Sequence, residues 1–320
     1  MFFSALIRWF RPVLLSTIGL FVFPPAQQAQ SGVRQPYPGR QYITVAGKKM
    51  SYESFGLATR RPGSPVLIFE AGFSASGSLF FKNLFPALSK ICAGIGYDRN
   101  GEGGSEEDTT LVTDEAIIRR LHAFLAALKV PPPYILAGHS LGGPYIRLFA
   151  ALYSTEVAGL VFIDPPDFML TDQQNEQIKT MSQDSSDVIQ RVIHSFDGTA
   201  EDTLNGPLMR HRARRMAALF RLGPWREYQS LAPLPDIPVV FLLAYHKPLN
   251  SITRTNPAKY NAIDQFRLEN FTAMIANNHH SAVVVLPGYT HFITADDPEL
   301  VVATIRRVYQ SAMAGKMAVK

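Results

Sequence analysis

The pentapeptide Gly138-His139-Ser140-Leu141-Gly142 constrains what this chain can fold into more than any other stretch. The apolar run Tyr134-Ile135-Leu136-Ala137 precedes it and reads as a short buried strand. Gly143-Pro144-Tyr145-Ile146-Arg147-Leu148-Phe149-Ala150 follows it and reads as a helix. A G-x-S-x-G between strand and helix holds its serine on a sharp, strained turn with the hydroxyl exposed. A Cβ at either flanking glycine would collide with the neighbouring strand or helix. The pentapeptide alone is a weak signal, because glycine and serine are common. The strand before it and the helix after it make it specific.

The rest of the chain alternates strands and helices. Residues 41–45 and 49–54 alternate in polarity around Gly47 and predict a hairpin. Residues 65–70, 91–97, 157–163, 239–243 and 283–286 have apolar centres and predict further strands. Residues 78–90 predict a helix that Pro86 kinks or breaks. Thr113 caps a helix whose apolar positions Ile117, Leu121, Phe124, Leu125 and Leu128 follow helical spacing. Residues 266–276 and 298–312 predict the last two helices. Such alternation predicts an α/β fold, with a mostly parallel sheet covered by helices on both faces. Residues 167–235 differ: they are polar, rich in Gln, Asp and Arg, and helical in character, which suits an inserted helical cap. No internal repeat is visible.

Composition excludes some classes. Of 320 residues, 47% are apolar, enough for a substantial core, and the 18% that are charged argue against disorder. The net charge of +5 comes from 31 Lys and Arg that are not gathered into one long run. The densest cluster, Arg210-His211-Arg212-Ala213-Arg214-Arg215, reads as a solvated helix face, with a membrane-touching amphipathic helix as the alternative. No nucleic-acid motif accompanies it. Cys92 is the sole cysteine, so no intramolecular disulfide forms, and it reads as a small buried residue. Near the N-terminus, Arg8 and Arg11 precede the apolar residues 13–23 and a polar stretch, residues 24–31. This layout predicts a signal peptide or a membrane anchor in residues 1–31, and hence an exported or membrane-anchored protein with its main domain at residues 32–320.

A serine hydroxyl is a poor nucleophile until a base takes its proton. His291 follows the last predicted strand in Pro287-Gly288-Tyr289-Thr290-His291-Phe292, at a carboxyl end where sheet enzymes collect their ligands. It is the expected base. His139 would point away from Ser140, His122 sits on a helix, and His279 and His280 read as turn residues. His246 follows a strand and stays a competitor.

Three segments together carry a resemblance: Gly138-His139-Ser140-Leu141-Gly142-Gly143, Tyr97-Asp98-Arg99-Asn100-Gly101 and Gly288-Tyr289-Thr290-His291-Phe292. Over about residues 40–315 the chain resembles the α/β-hydrolase fold superfamily. The resemblance implies Ser140 as nucleophile and His291 as base. Many relatives carry His-Gly at the oxyanion loop, where this chain has Glu70-Ala71-Gly72-Phe73. The oxyanion hole needs backbone N–H groups rather than a particular side chain. Its donors are therefore expected at Leu141 and Phe73.

The resemblance also implies an acid just after residues 239–243. Here that loop reads Ala244-Tyr245-His246-Lys247-Pro248-Leu249-Asn250 and has no carboxylate. Asp164, at the end of the strand over residues 157–163, is the replacement, since some relatives use that position. The alternative is that Asp164 caps a loop before two prolines. Asp264 is the reserve candidate, and Asp98 reads as a brace for its Gly-rich loop. Epoxide hydrolases and haloalkane dehalogenases carry Asp where this chain has Ser140. The expected activity is serine hydrolysis of a small-molecule carboxylic ester, with no cofactor or metal and a cap that sets substrate size. The alternatives are an acyltransferase or lyase on the same scaffold, or a catalytically silent binding protein.

Overall fold

A computed structural model describes residues 39–73, 76–181, 188–204, 207–221, 225–245 and 257–318. The signal or anchor expected over residues 1–31, and His246, lie outside the described residues. Among the described residues no helix is long and apolar enough to cross a membrane.

The hairpin forms as its alternation predicts, from β1 (Gln41–Val45) and β2 (Lys48–Phe55). The other strands are β3 (Val66–Glu70), β4 (Ala93–Tyr97), β5 (Tyr134–His139), β6 (Val157–Ile163), β7 (Val239–Tyr245) and β8 (Ala282–Pro287). They form one eight-stranded sheet in the order β1-β2-β4-β3-β5-β6-β7-β8. β1 and β2 are antiparallel to their neighbours, and the six strands from β4 to β8 run parallel. The central strands are buried on both faces, which is why they read as unbroken apolar runs.

Alternate residues of each strand serve opposite faces. Ile68, Leu136, Phe162 and Phe241 pack on one side with α3 (Asp114–Ala127), α4 (Gly142–Leu152) and α9 (Pro257–Met274), through Phe124, Phe149 and Phe271. Leu67, Phe69, Ile135, Val161 and Leu242 pack on the other, against α1 (Gly77–Phe80), α2 (Phe85–Leu88) and α11 (Pro298–Ala318), through Phe81, Leu88, Val301 and Ile305. The short α10 (Ile293–Asp296) precedes α11. Thr113 caps α3 as expected, its hydroxyl accepting from the Ala116 N–H at 3.1 Å.

Two elements depart from their sequence reading. The helix expected over residues 78–90 is broken into α1, a 3₁₀ turn at Lys82–Leu84, and α2. The break falls before Pro86, which sits in the first turn of α2, where its missing N–H costs no hydrogen bond. It brings Phe81 onto Phe69, with ring centroids 4.4 Å apart. The helix expected over residues 266–276 begins at Pro257 instead. Its buried face carries Lys259, Asp264 and Arg267, so apolar periodicity could not reveal the first turns.

Between β6 and β7 the described chain is helical: α5 (Asp172–Thr180), α6 (Val188–Glu201), α7 (Pro207–Arg221) and α8 (Arg226–Gln229). Polar contacts tie this region to the sheet domain. Arg212 Nη1 lies 3.0 Å from Glu102, its Nη2 donates to the Asn100 carbonyl at 2.7 Å, and His211 Nε2 lies 2.9 Å from Asp114. The basic cluster is therefore not simply a solvated face: Arg214 is exposed, but Arg212 is buried in this junction.

Candidate active site

Ser140 stands between β5 and α4 with φ +52°, a left-handed conformation that a non-glycine residue adopts at a cost of about 1–2 kcal/mol. The crossing of strand and helix requires it. A Cβ on Gly138 would lie 2.5 Å from the Gly142 carbonyl oxygen, and one on Gly142 would lie 2.2 Å from that of Glu70. The Ser140 N–H donates to the Ile163 carbonyl at 3.0 Å, and Gly143 N–H closes the turn onto the Ser140 carbonyl at 2.8 Å. α4 starts directly behind the serine, so its N-terminal N–H groups and dipole suit a developing anion.

His291 lies in the loop after β8, with its side chain about one-third exposed. Its Nδ1 is 2.6 Å from Asp164 Oδ2. Asp164 also has a positive φ, +43°, and its N–H donates to the Leu242 carbonyl of β7 at 2.8 Å. This turn carries the carboxylate from the end of β6 to the end of β7, where Oδ1 accepts from Ala244 N–H at 3.2 Å. The Asp164 carboxylate thus sits at the tip of β7 although the residue belongs to β6. Arg267 of α9 braces it, donating through Nη2 to Asp164 Oδ1 at 2.6 Å and to the Pro165 carbonyl at 2.8 Å. Burial opposes the Arg267 charge, but Asp164 first and then Asp264 outweigh burial and raise its pKa. Asp264 lies 3.5 Å from Arg267 Nη1.

The His291 loop is fixed from both ends. Asp296 Oδ2 accepts from the Thr290 N–H at 2.7 Å and from its hydroxyl at 2.8 Å. His139 Nε2 is 2.9 Å from the His291 carbonyl oxygen, which can only accept, so His139 carries its proton on Nε2. The His139 ring is buried 4.7 Å from both the Phe80 and the His291 rings. The sequence predicts only that the His139 side chain points away from the serine. The fold uses it to tie the His291 loop to the elbow.

Two of the other described histidines serve elsewhere. His122 stacks on Tyr153 at 3.9 Å and pairs with Glu156, and His279 pairs with Asp236 at an exposed turn. Asp98 braces its loop as expected, accepting from Ser51 Oγ, Ser76 Oγ, Ser78 N–H and Gly104 N–H. Burial opposes its ionisation, but these hydrogen bonds, led by that of Gly104, hold its pKa below the ordinary aspartate value. Cys92 is buried, and burial pushes its thiol up to about 12.

The loop after β3, Ala71-Gly72-Phe73, lies over the elbow: a Cβ on Gly72 would stand 3.2 Å from Ser140 Cβ. The Phe73 ring meets Phe196 of α6 at 5.8 Å and packs against a cluster with Ala213, Met216 and Ala217 of α7. The helical region therefore reaches the loop beside Ser140. Sequence reasoning did not find Arg99, Glu70 or Arg267. The available signals were a glutamate ending an apolar strand and an arginine opening a Gly-rich loop.

The alpha/beta hydrolase fold family matches residues 65–260. The chain is 30% identical to the uncharacterised protein YqjL of Bacillus subtilis over 113 residues, covering 35% of this chain and 44% of that protein. It is 26% identical to the monoacylglycerol lipase abhd6-B of Xenopus laevis over 172 residues, covering 49% and 50% of the two chains. It thus spans half or less of the length of these curated relatives. An epoxide hydrolase, CorEH, superposes with a TM-score of 0.55 at 16% identity, covering 85% of this chain and 98% of that one. The esterase EaEST from Exiguobacterium antarcticum superposes with a TM-score of 0.54 at 16% identity, covering 85% and 99%. At such identity these structures speak to the fold alone. With the family matched across most of the sheet and the elbow, the chain belongs to the alpha/beta hydrolase fold family.

Proposed function

We propose that the protein hydrolyses carboxylic esters through an acyl-enzyme on Ser140. The observation that carries this reading is the 2.6 Å contact between His291 Nδ1 and the Asp164 carboxylate, made in a loop that His139 ties to the strained elbow. The carboxylate holds Nδ1 protonated, which leaves Nε2 to take the Ser140 proton as the hydroxyl oxygen attacks the ester carbonyl. The same nitrogen then returns the proton to the leaving alcohol, and a water repeats the cycle on the acyl-enzyme. Backbone N–H groups of Leu141 and Phe73 stabilise the oxyanion. Asp164 is favoured over Asp264 as the acid, because Asp264 faces Arg267 rather than the histidine. A serine at the elbow favours ester chemistry over the epoxide and haloalkane chemistry of relatives with Asp there.

The helical region from α5 to α8 acts as the cap, and Phe196 and Met216 beside Phe73 make its inner wall apolar. That wall suits an acyl chain. A fluorophosphonate should label the wild-type protein at Ser140 and leave Ser140→Ala unlabelled. Full activity of Ser140→Ala on a p-nitrophenyl ester would end the reading. Partition of the acyl-enzyme between water and added alcohol separates a hydrolase from an acyltransferase. We also propose export or membrane anchoring through residues 1–31, supported by Arg8, Arg11 and the apolar residues that follow. A full-length soluble product in the bacterial cytoplasm would contradict it.

A further inference from the structure

Arg99 is buried to 1% exposure at the end of β4, and nothing in the proposed proton transfers uses it. Both terminal nitrogens of its guanidinium are engaged, while Nε is buried without a hydrogen-bond partner. One edge pairs with Glu70, itself held by the Tyr97 hydroxyl. Nη2 donates to Glu102 at 3.0 Å, and the Tyr145 ring of α4 lies 5.4 Å away across one face. The two remaining donations go to backbone: Nη1 to the Ala71 carbonyl and Nη2 to the Gly72 carbonyl. Burial opposes the charge, but Glu102 and Glu70 outweigh it and keep Arg99 protonated.

We infer that Arg99 is a positioning residue for the oxyanion hole, and that by holding the Ala71 and Gly72 carbonyls it turns the Phe73 N–H toward Ser140. The inference rests on the ester-hydrolase reading above. A trans peptide is planar, with its C=O and N–H on opposite sides. With the Gly72 oxygen drawn to Arg99, the Phe73 N–H points away from Arg99. The elbow lies against that loop, since a Cβ on Gly72 would be 3.2 Å from Ser140 Cβ. Two successive carbonyls on one cation leave the loop no room to flip the Gly72–Phe73 peptide. A lysine cannot substitute fully, because a compact ammonium lacks the planar fork that meets two carbonyls and two carboxylates together. Glu102 also pairs with Arg212 of α7 at 3.0 Å, so the same guanidinium is continuous with the cap junction.

The test compares Arg99→Lys with wild type on a p-nitrophenyl ester, a trifluoromethyl ketone and the matching neutral amide. Ser140 adds to the ketone carbon, its proton passes to His291, and the former carbonyl oxygen becomes an oxyanion in the hole. The amide binds without addition. Removing one oxyanion donor lowers kcat on the order of 10²-fold, and the same loss is expected here with KM nearly unchanged. Ketone affinity should fall by the same factor as kcat, and amide affinity should hold. Arg120→Lys is the control for a merely structural loss. Arg120 is also buried, at 9% exposure, donates to Asp108 and the Val45 carbonyl, and its replacement should lower Tm without changing the ketone-to-amide ratio. If Arg99→Lys does not accumulate folded, Glu70→Gln loosens one edge of the guanidinium and should show the same selective loss, smaller in size. An unchanged ketone-to-amide ratio in the folded variant overturns the inference. Failure of the wild-type protein to react with a fluorophosphonate overturns the hydrolase reading, and the inference with it.

Discussion

Two buried arginines flank the elbow, and they do different things. Arg99, on the β4 side, is shared by two carboxylates and aims two backbone carbonyls. Arg267, on the β7 side, is shared by Asp164 and Asp264 and fixes a side chain, the carboxylate that meets His291. Under the proposed ester chemistry, one shapes where negative charge develops, and the other shapes the group that supports the base. Both are buried cations that persist because anions were buried with them. Breaking such a pair by removing one partner costs about 3–5 kcal/mol, because the other charge is left behind.

The comparison is sharpened most by Asp164→Asn. An amide keeps the shape but cannot stabilise the imidazolium, and kcat on a p-nitrophenyl ester should fall about 10⁴-fold, the size of that effect in a serine protease triad. A loss no larger than that of Arg99→Lys would invert the ranking of the two sides. Next comes Arg267→Met. It should lower unfolding stability in urea by about 3–5 kcal/mol, and adding Asp264→Asn should recover part of the loss, since one buried anion goes with the cation. No recovery in the double variant would mean that Asp264 does not depend on Arg267.

Asp264→Asn alone should change kcat by less than about tenfold, or about 1.4 kcal/mol. A crippled Asp264→Asn beside an active Asp164→Asn would transfer the acid role. A separate effect, on stability rather than on rate, is expected at Asp167, which burial pushes up to about 6 despite hydrogen bonds from Met169 and Asn270. Its folded pKa lies above its unfolded value, so the unfolded chain releases this proton first. Stability should fall as pH rises from about 4 to about 6, and the cost, at most about 3 kcal/mol, should be complete above that window. Asp167→Asn should flatten this dependence in urea titrations at pH 4.5 and 7. A parallel pH profile for the variant would locate the dependence elsewhere.

Much of this molecule is legible from local pattern. Strand centres at residues 65–70, 157–163 and 239–243 are continuous apolar runs because both sheet faces are covered, and such runs need no partner to be recognised. The elbow is legible because strand, glycines and helix are contiguous. His291 is legible because it follows the last strand directly. The start of α9 is not, since its inward face is built of Lys259, Asp264 and Arg267, residues that look solvent-facing until their partners are known.

The choice of Asp164 as the partner of His291 belongs to the tertiary structure. The two residues are 127 positions apart, and in sequence Asp164 ranks above Asp264 only by its place at a strand end. What separates them is strand order. β6 lies beside β7, and a positive φ at Asp164 swings a β6 carboxylate onto the tip of β7. Arg267 then joins Asp164 across 103 positions. The chain by itself determines where a serine is strained and where a histidine loop follows a strand, because both depend on neighbours in sequence. Which carboxylate meets that histidine, and which arginine holds the Ala71 and Gly72 carbonyls, depends on charges that become costly only once the fold removes them from water, and that each then need a particular partner nearby.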